Sequence, residues 1–228
     1  MALSFPLPVR AVTIDLDGTL LDTIPDLAAA ANMMLSELDR PPLEEALIRT
    51  FVGKGIANLV QRTLIGALEG DVDPALMQIG LTVFERCYSE VNGRHTTIYP
   101  GVEAGLARLA GLGIPLACVT NKSTRYTLPL LDMLGLAACF EQVVAGDTLA
   151  RKKPDPAPLL HAAVLFGIPP GDMLMIGDSL NDTIAARAAG CPVFCVTYGY
   201  NEGVDVRSLD TDAVVDSLDE AAGLVRKA

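Results

Sequence analysis

Apolar and polar positions along this chain follow two rhythms. From Tyr99 onward, short runs of consecutive apolar residues are separated by stretches whose apolar positions recur at helical spacing, the order expected of right-handed βαβ units and a parallel sheet. The spacing predicts strands over residues 116–120, 142–145, 173–177, 193–197 and 213–215, and helices over 102–112, 124–134, 157–166, 180–189 and 218–226. Val12, Ile14 and Leu16 read as one more buried strand of the same sheet, ended by Gly18. The stretch from about Pro25 to Arg94 keeps only the helical rhythm, with helices expected over 25–38, 43–51, 56–68 and 74–88. Pro41-Pro42, Gly53, Gly55 and the stretch from Gly70 to Pro74 punctuate it, and Tyr99-Pro100-Gly101 returns the chain to the sheet. The expected fold is α/β: a doubly wound parallel-sheet, Rossmann-like core over residues 1–23 and 95–228, interrupted by an all-helical insertion over 24–94.

Length supports this division, since 228 residues correspond to about one and a half domains. Half of the residues are apolar but Phe, Tyr and Trp number only 6, 5 and 0, so aliphatic side chains must fill the core. The net charge of −11 argues against a nucleic acid or an anionic membrane as partner, and an anionic substrate would have to be attracted locally. Five scattered cysteines, Cys87, Cys118, Cys139, Cys191 and Cys195, are odd in number and never spaced as Cys-x-x-Cys, so reduced, mostly buried thiols are expected. His95 and His161 are the only histidines, which leaves a histidine-based triad or metal cluster without support. Pro6 and Pro8 interrupt the first apolar stretch and Arg10 follows it, so no signal peptide is expected. No apolar run reaches the roughly 18 residues that span a bilayer. The expectation is a soluble, cytoplasmic protein; its oligomeric state leaves no mark on the sequence.

The chemistry gathers where predicted strands end, which is where open parallel sheets bind ligands. The first strand ends in Asp15-Leu16-Asp17-Gly18-Thr19, the next in Thr120-Asn121; the third is followed by Lys152-Lys153-Pro154, and the fourth ends in Gly177-Asp178-Ser179-Leu180-Asn181-Asp182. Crowded carboxylates repel unless a cation, a proton or fixed donors hold them. Magnesium suits such a site, because it binds through one or two carboxylates plus substrate phosphate. Hydroxyl and amide donors and a lysine then serve the charge of a transferring phosphoryl group. Taken singly, an Asp-Gly turn, a Thr-Asn helix cap or a surface lysine is ordinary structure; four such coincidences at successive strand ends are not.

These four motifs, in this order, resemble those of the haloacid dehalogenase superfamily, and the resemblance covers nearly the whole chain. The helical insertion after the first motif is similar to that superfamily's first class of cap. Within it, Phe51-Val52-Gly53-Lys54-Gly55, the stretch from Lys152 to Pro156 and Thr197-Tyr198-Gly199-Tyr200-Asn201 resemble bacterial phosphoglycolate phosphatases. The resemblance implies hydrolysis of a small phosphate ester such as 2-phosphoglycolate, with Asp15 as nucleophile and Asp17 as general acid, then base. It implies Mg2+ held by Asp15, the Asp17 carbonyl and Asp178, with Asp182 in support. Thr120, Asn121 and Lys153 would meet the phosphoryl oxygens beside the Gly18 turn. Asp17 favours a phosphatase or a phosphomutase over a dehalogenase, whose halide needs no proton, and does not separate the first two. A receiver-like signalling domain also pairs acidic residues with a Thr and a Lys, but the large insertion and the Gly-Asp-x-x-x-Asp motif weigh against it.

Specificity calls for a group that reads the substrate's carboxylate, and Lys54 in the Gly53-Lys54-Gly55 turn is the candidate if the insertion closes over the core; Arg62, Arg94 and Arg125 come next. Gly53-Lys54-Gly55 lacks the rest of a P-loop, and Gly111-Leu112-Gly113 precedes a strand, so neither supports nucleotide binding.

Overall fold

A computed structural model describes residues 4–228; residues 1–3, with which the expected core begins, lie outside the described residues. In chain order the elements are β1 (Leu7–Val9), β2 (Ala11–Ile14), β3 (Leu21–Asp22), α1 (Ile24–Glu37), α2 (Glu45–Arg49), α3 (Ile56–Ile65), α4 (Pro74–Val91), β4 (Thr97–Ile98), α5 (Val102–Gly111) and β5 (Leu116–Val119). They continue with α6 (Thr124–Met133), β6 (Gln142–Val144), α7 (Ala157–Phe166), β7 (Met173–Gly177), α8 (Leu180–Ala189), β8 (Val193–Val196), β9 (Ala213–Val215), α9 (Leu218–Gly223) and β10 (Val225–Lys227).

Six strands form one parallel sheet in the order β6-β5-β2-β7-β8-β9. The apolar runs are continuous because both faces are covered, and within each run alternate residues choose opposite faces. Val12, Ile14, Leu116, Cys118, Leu174 and Ile176 pack with α5, α6 and α9. Ala11, Ala117, Val119, Met173 and Met175 pack with α7 and α8. The winding reverses at β2: β5 and β6 lie to one side, β7 to β9 to the other. The carboxyl ends of β2 and β7 therefore flank the crevice where doubly wound sheets bind ligands.

Between Asp22 and Thr97 lie four helices, packed round Ile24, Leu27, Met34, Leu59, Phe84 and Tyr88. That apolar cluster continues onto the sheet unit through Tyr126 and Tyr200. The two passages into and out of the helices run side by side as the antiparallel pair β3 and β4, Leu21 opposite Ile98 and Asp22 opposite Thr97. Buried Asp26, in the first turn of α1, closes this neck by accepting hydrogen bonds from the backbone N–H groups of Gly93, His95 and Thr96 and from the Thr96 hydroxyl at 2.7–3.0 Å.

Several boundaries depart from the sequence expectation. The first strand stops at Ile14 and not at Leu16, because the Leu16 carbonyl turns to accept from Thr19, Leu20 and Leu21 N–H, although the side chain stays fully buried. The helix expected over 218–226 ends at Gly223, and its last residues instead form β10, which pairs in parallel with β1. The helix expected to Leu68 stops at Ile65, where Gly66 takes the left-handed conformation with φ +75°. In the other direction α4 runs on to Val91.

Candidate active site

The residue after β2, Asp15, is held by its backbone N–H donating to the Ile176 carbonyl of β7 at 2.9 Å, which aims its side chain across the crevice. Lys153 Nζ lies 2.9 Å from Asp15 Oδ1 and 2.7 Å from both Asp182 Oδ1 and the Val119 carbonyl. Burial opposes the lysine's charge, yet Asp15 and Asp182 outweigh it and hold the ammonium above its ordinary range. Asp182 is saturated: its other oxygen accepts from the N–H groups of Asp178 and Ser179 and from the Ser179 hydroxyl, a capping box that starts α8. Asp178 accepts from the Thr19 hydroxyl at 3.1 Å and from Tyr200 N–H at 2.5 Å.

One oxygen each of Asp15, Asp178 and Asp182 lies within 4.8 Å of the other two. Burial drives the Asp15 carboxyl up to about 7, Asp182 and Asp17 adding to the rise while Lys153 opposes it. Asp178 is raised for the same reasons, burial first and then its acidic neighbours Asp182 and Asp15. Oxygen ligands crowded past what one lysine neutralises suit a hard divalent cation. Asp15 Oδ2 accepts no hydrogen bond among the described residues, and each Asp178 oxygen accepts only one, which leaves lone pairs on both side chains for such a cation. Asp182, expected in support of the ligands, stands in the same acidic group, with Oδ1 meeting Lys153 and Oδ2 accepting from three donors of Asp178 and Ser179. Close approach here requires glycine: a Cβ on Gly18, whose φ is +87°, would fall 2.3 Å from Asp178 Oδ2, and one on Gly199 would fall 2.1 Å from the Asp178 Cβ.

Asp17 Oδ1 accepts from the Thr23 hydroxyl at 2.7 Å and from Lys122 Nζ at 3.0 Å. Thr120 lines the same cavity as Asp15 and Asp17, its oxygen accepting from Lys122 N–H at 3.2 Å. Asn121 also lines it, but both bonds from its amide nitrogen go to backbone carbonyls, of Gly53 at 3.0 Å and of Lys153 at 2.8 Å. Its side chain therefore ties the insertion to the core, where a contact to phosphoryl oxygen was expected.

Lys54 is not where the sequence reading put it. Gly53 and Gly55 border the cavity, but the Lys54 side chain turns outward to Glu202 Oε1 at 2.7 Å. Arg62, nearly fully buried, meets the same Glu202 oxygen at 2.7 Å and donates to the Phe51 and Leu68 carbonyls. Arg94 is exposed, and Arg125 pairs on the surface with Glu85. The residue that sequence reasoning missed is Lys122. Its position beside Thr120-Asn121 was the available signal; its partner Tyr88, on α4, gave none.

The comparisons with known proteins agree with this geometry. The chain is 52% identical over 225 residues, 99% of each protein, to a phosphoglycolate phosphatase of Thiobacillus denitrificans. It is 56% identical to a phosphoglycolate phosphatase of Nitrosospira multiformis, with 98% of each chain covered. Among solved structures, one described as "a predicted phosphoglycolate phosphatase" from Haemophilus somnus superimposes with a TM-score of 0.88 at 33% identity, covering 93% of this chain and 96% of that one. The profile of the haloacid dehalogenase-like hydrolases matches residues 9–190, from β1 through α8, and the chain belongs to that family.

Proposed function

We propose that the protein is a magnesium-dependent phosphatase that hydrolyses 2-phosphoglycolate to glycolate and phosphate through an aspartyl-phosphate on Asp15. The observation that carries the reading is the convergence of Asp15, Asp17, Thr120 and Asp178 on one cavity at the strand ends, over a buried Lys153. Asp15 and Asp178, with the Asp17 carbonyl, would hold the magnesium, which supplies charge neutralisation to the phosphoryl group. Lys153 favours the carboxylate form of Asp15 against the effect of burial and eases the approach of an anionic ester. The Asp15 oxygen attacks phosphorus as the ester oxygen departs, and Asp17 delivers a proton to that oxygen, since an alkoxide leaves poorly without one. Asp17 then takes a proton from the water that opens the aspartyl-phosphate. Thr120 offers its hydroxyl proton to a phosphoryl oxygen. Residues 24–94 act as a cap over a catalytic core of residues 1–23 and 95–228, and the apolar residues Leu27, Val52, Ile56 and Leu59, which the cap contributes to the cavity wall, keep water from the phosphoryl site. The five cysteines, all free, suit a reducing compartment such as the cytoplasm.

A panel of phosphomonoesters that includes glucose 1-phosphate tests this with and without magnesium. Phosphate release should be metal-dependent and fastest from 2-phosphoglycolate, and Asp15→Asn should lower it by about 10⁴-fold or more with the fold intact by circular dichroism. Preference for a sugar phosphate, or turnover by the Asn variant, overturns the reading.

A further inference from the structure

The proton that Asp17 delivers also fixes where the substrate's second charge must lie. In 2-phosphoglycolate the carboxyl carbon is bonded to the carbon that bears the ester oxygen, so the carboxylate falls beside Asp17 however the phosphoryl group is held. One cation stands there. Lys122 Nζ is 3.0 Å from Asp17 Oδ1, 2.6 Å from the Tyr88 hydroxyl oxygen and 4.9 Å from the centre of the Tyr88 ring.

Among the described residues Lys122 is the only lysine or arginine lining the cavity that holds Asp15, Asp17 and Thr120. Lys153 lies beneath Asp15, its three protons matched by Asp15, Asp182 and the Val119 carbonyl. Lys54 and Arg62 are committed to Glu202. The ammonium of Lys122 has two partners, Asp17 and Tyr88, and therefore one proton still to give. Those partners also fix it in place, and its side chain is only 2% exposed, so receiving an anion costs little further ordering.

We propose that Lys122 receives the substrate's carboxylate, making the site selective for esters whose carboxylate is attached to the ester-bearing carbon. The inference rests on the 2-phosphoglycolate reading above and names the residue that enforces it. A carboxylate one or more carbons farther along the chain overshoots Lys122 and is discriminated against.

Steady-state kinetics on 2-phosphoglycolate and on ethyl phosphate, which carries a methyl group in place of the carboxylate, test it. Absent turnover of 2-phosphoglycolate by the unaltered enzyme overturns the substrate reading and the inference with it. Where that turnover is present, Lys122→Met should lower the ratio of kcat/KM for 2-phosphoglycolate to that for ethyl phosphate by about 10- to 100-fold, mostly through KM. Loosening of Asp17 slows both substrates alike and cancels in the ratio, so an unchanged ratio overturns the Lys122 assignment alone. If the Met variant does not fold, Lys122→Arg decides: the displaced cation should raise KM for 2-phosphoglycolate by about three-fold or more with KM for ethyl phosphate within about two-fold, and equal shifts overturn the assignment. Lys54→Ala should hold the ratio within about three-fold, and a loss matching that of Lys122→Met returns the role to Lys54.

Discussion

Both donors to Asp17, the Thr23 hydroxyl and Lys122, meet the same oxygen, Oδ1, which leaves Oδ2 for the proton that the proposed mechanism passes to the leaving group. That division predicts a defect sensitive to the leaving group. Asp17→Asn should slow phosphorylation by 2-phosphoglycolate by about 10²–10⁴-fold, and by p-nitrophenyl phosphate far less, because nitrophenolate leaves without a proton. Burst kinetics on the two substrates measure the difference, and equal losses would assign Asp17 to geometry alone. The aspartates were legible in the sequence because carboxylates at the end of an apolar run have few structural reasons to exist. Lys122 was not. A lysine in a loop before a helix reads as solvated, and its burial depends on Tyr88, a residue 34 positions away on another element. Lys54 misled for the converse reason: its flanking glycines do approach the cavity, while Glu202 draws the side chain out.

The strands of the main sheet were readable from apolar runs that two covered faces impose, and the helices from their spacing. The three-residue β1 and β10 escaped, since β1 carries Pro8 and each is too short to show alternation. Their register, Leu7 opposite Val225 and Val9 opposite Lys227, joins segments that no local pattern links. Buried Leu7, Val9 and Val225 belong to the same apolar cluster as β2 and α5. Deleting residues 225–228 should therefore cost about 2–4 kcal/mol, read as a lower urea midpoint. Because β10 lies at the amino end of the sheet, KM for 2-phosphoglycolate should hold under native conditions; a KM change with unaltered stability would contradict this account.

At the scale of the molecule, a chain of net charge −11 concentrates three aspartates round one buried lysine. The metal-free fold feels that crowding through pH. Asp15 titrates at about 7 in the folded protein, against about 4 for an unfolded carboxyl group, so the folded state holds the proton more tightly. The sign follows: this contribution to stability is complete below about pH 4 and is lost as pH rises through 7, and the raised Asp178 acts in the same direction. Magnesium at a hundredfold over its Kd should raise Tm by about 5–10 °C at neutral pH. The rise should be smaller at pH 5, where protons compete with the metal; a shift independent of pH would contradict the assigned ligands.

The neck at β3 and β4 has a consequence for how such a protein can change over generations. Asp22 and Thr97 sit opposite each other in an antiparallel pair, so everything between them leaves and re-enters the sheet unit at one point. Helices can be lengthened, exchanged or lost there without altering the order of the six strands, and the Asp26 clamp travels with the inserted piece because its partners, Gly93 to Thr96, lie on the same side of the junction. Phosphoryl chemistry and the enclosure around it are thus separately heritable, and Lys122, rooted in the sheet unit and tethered to Tyr88 of the insertion, is a place where the two histories must agree.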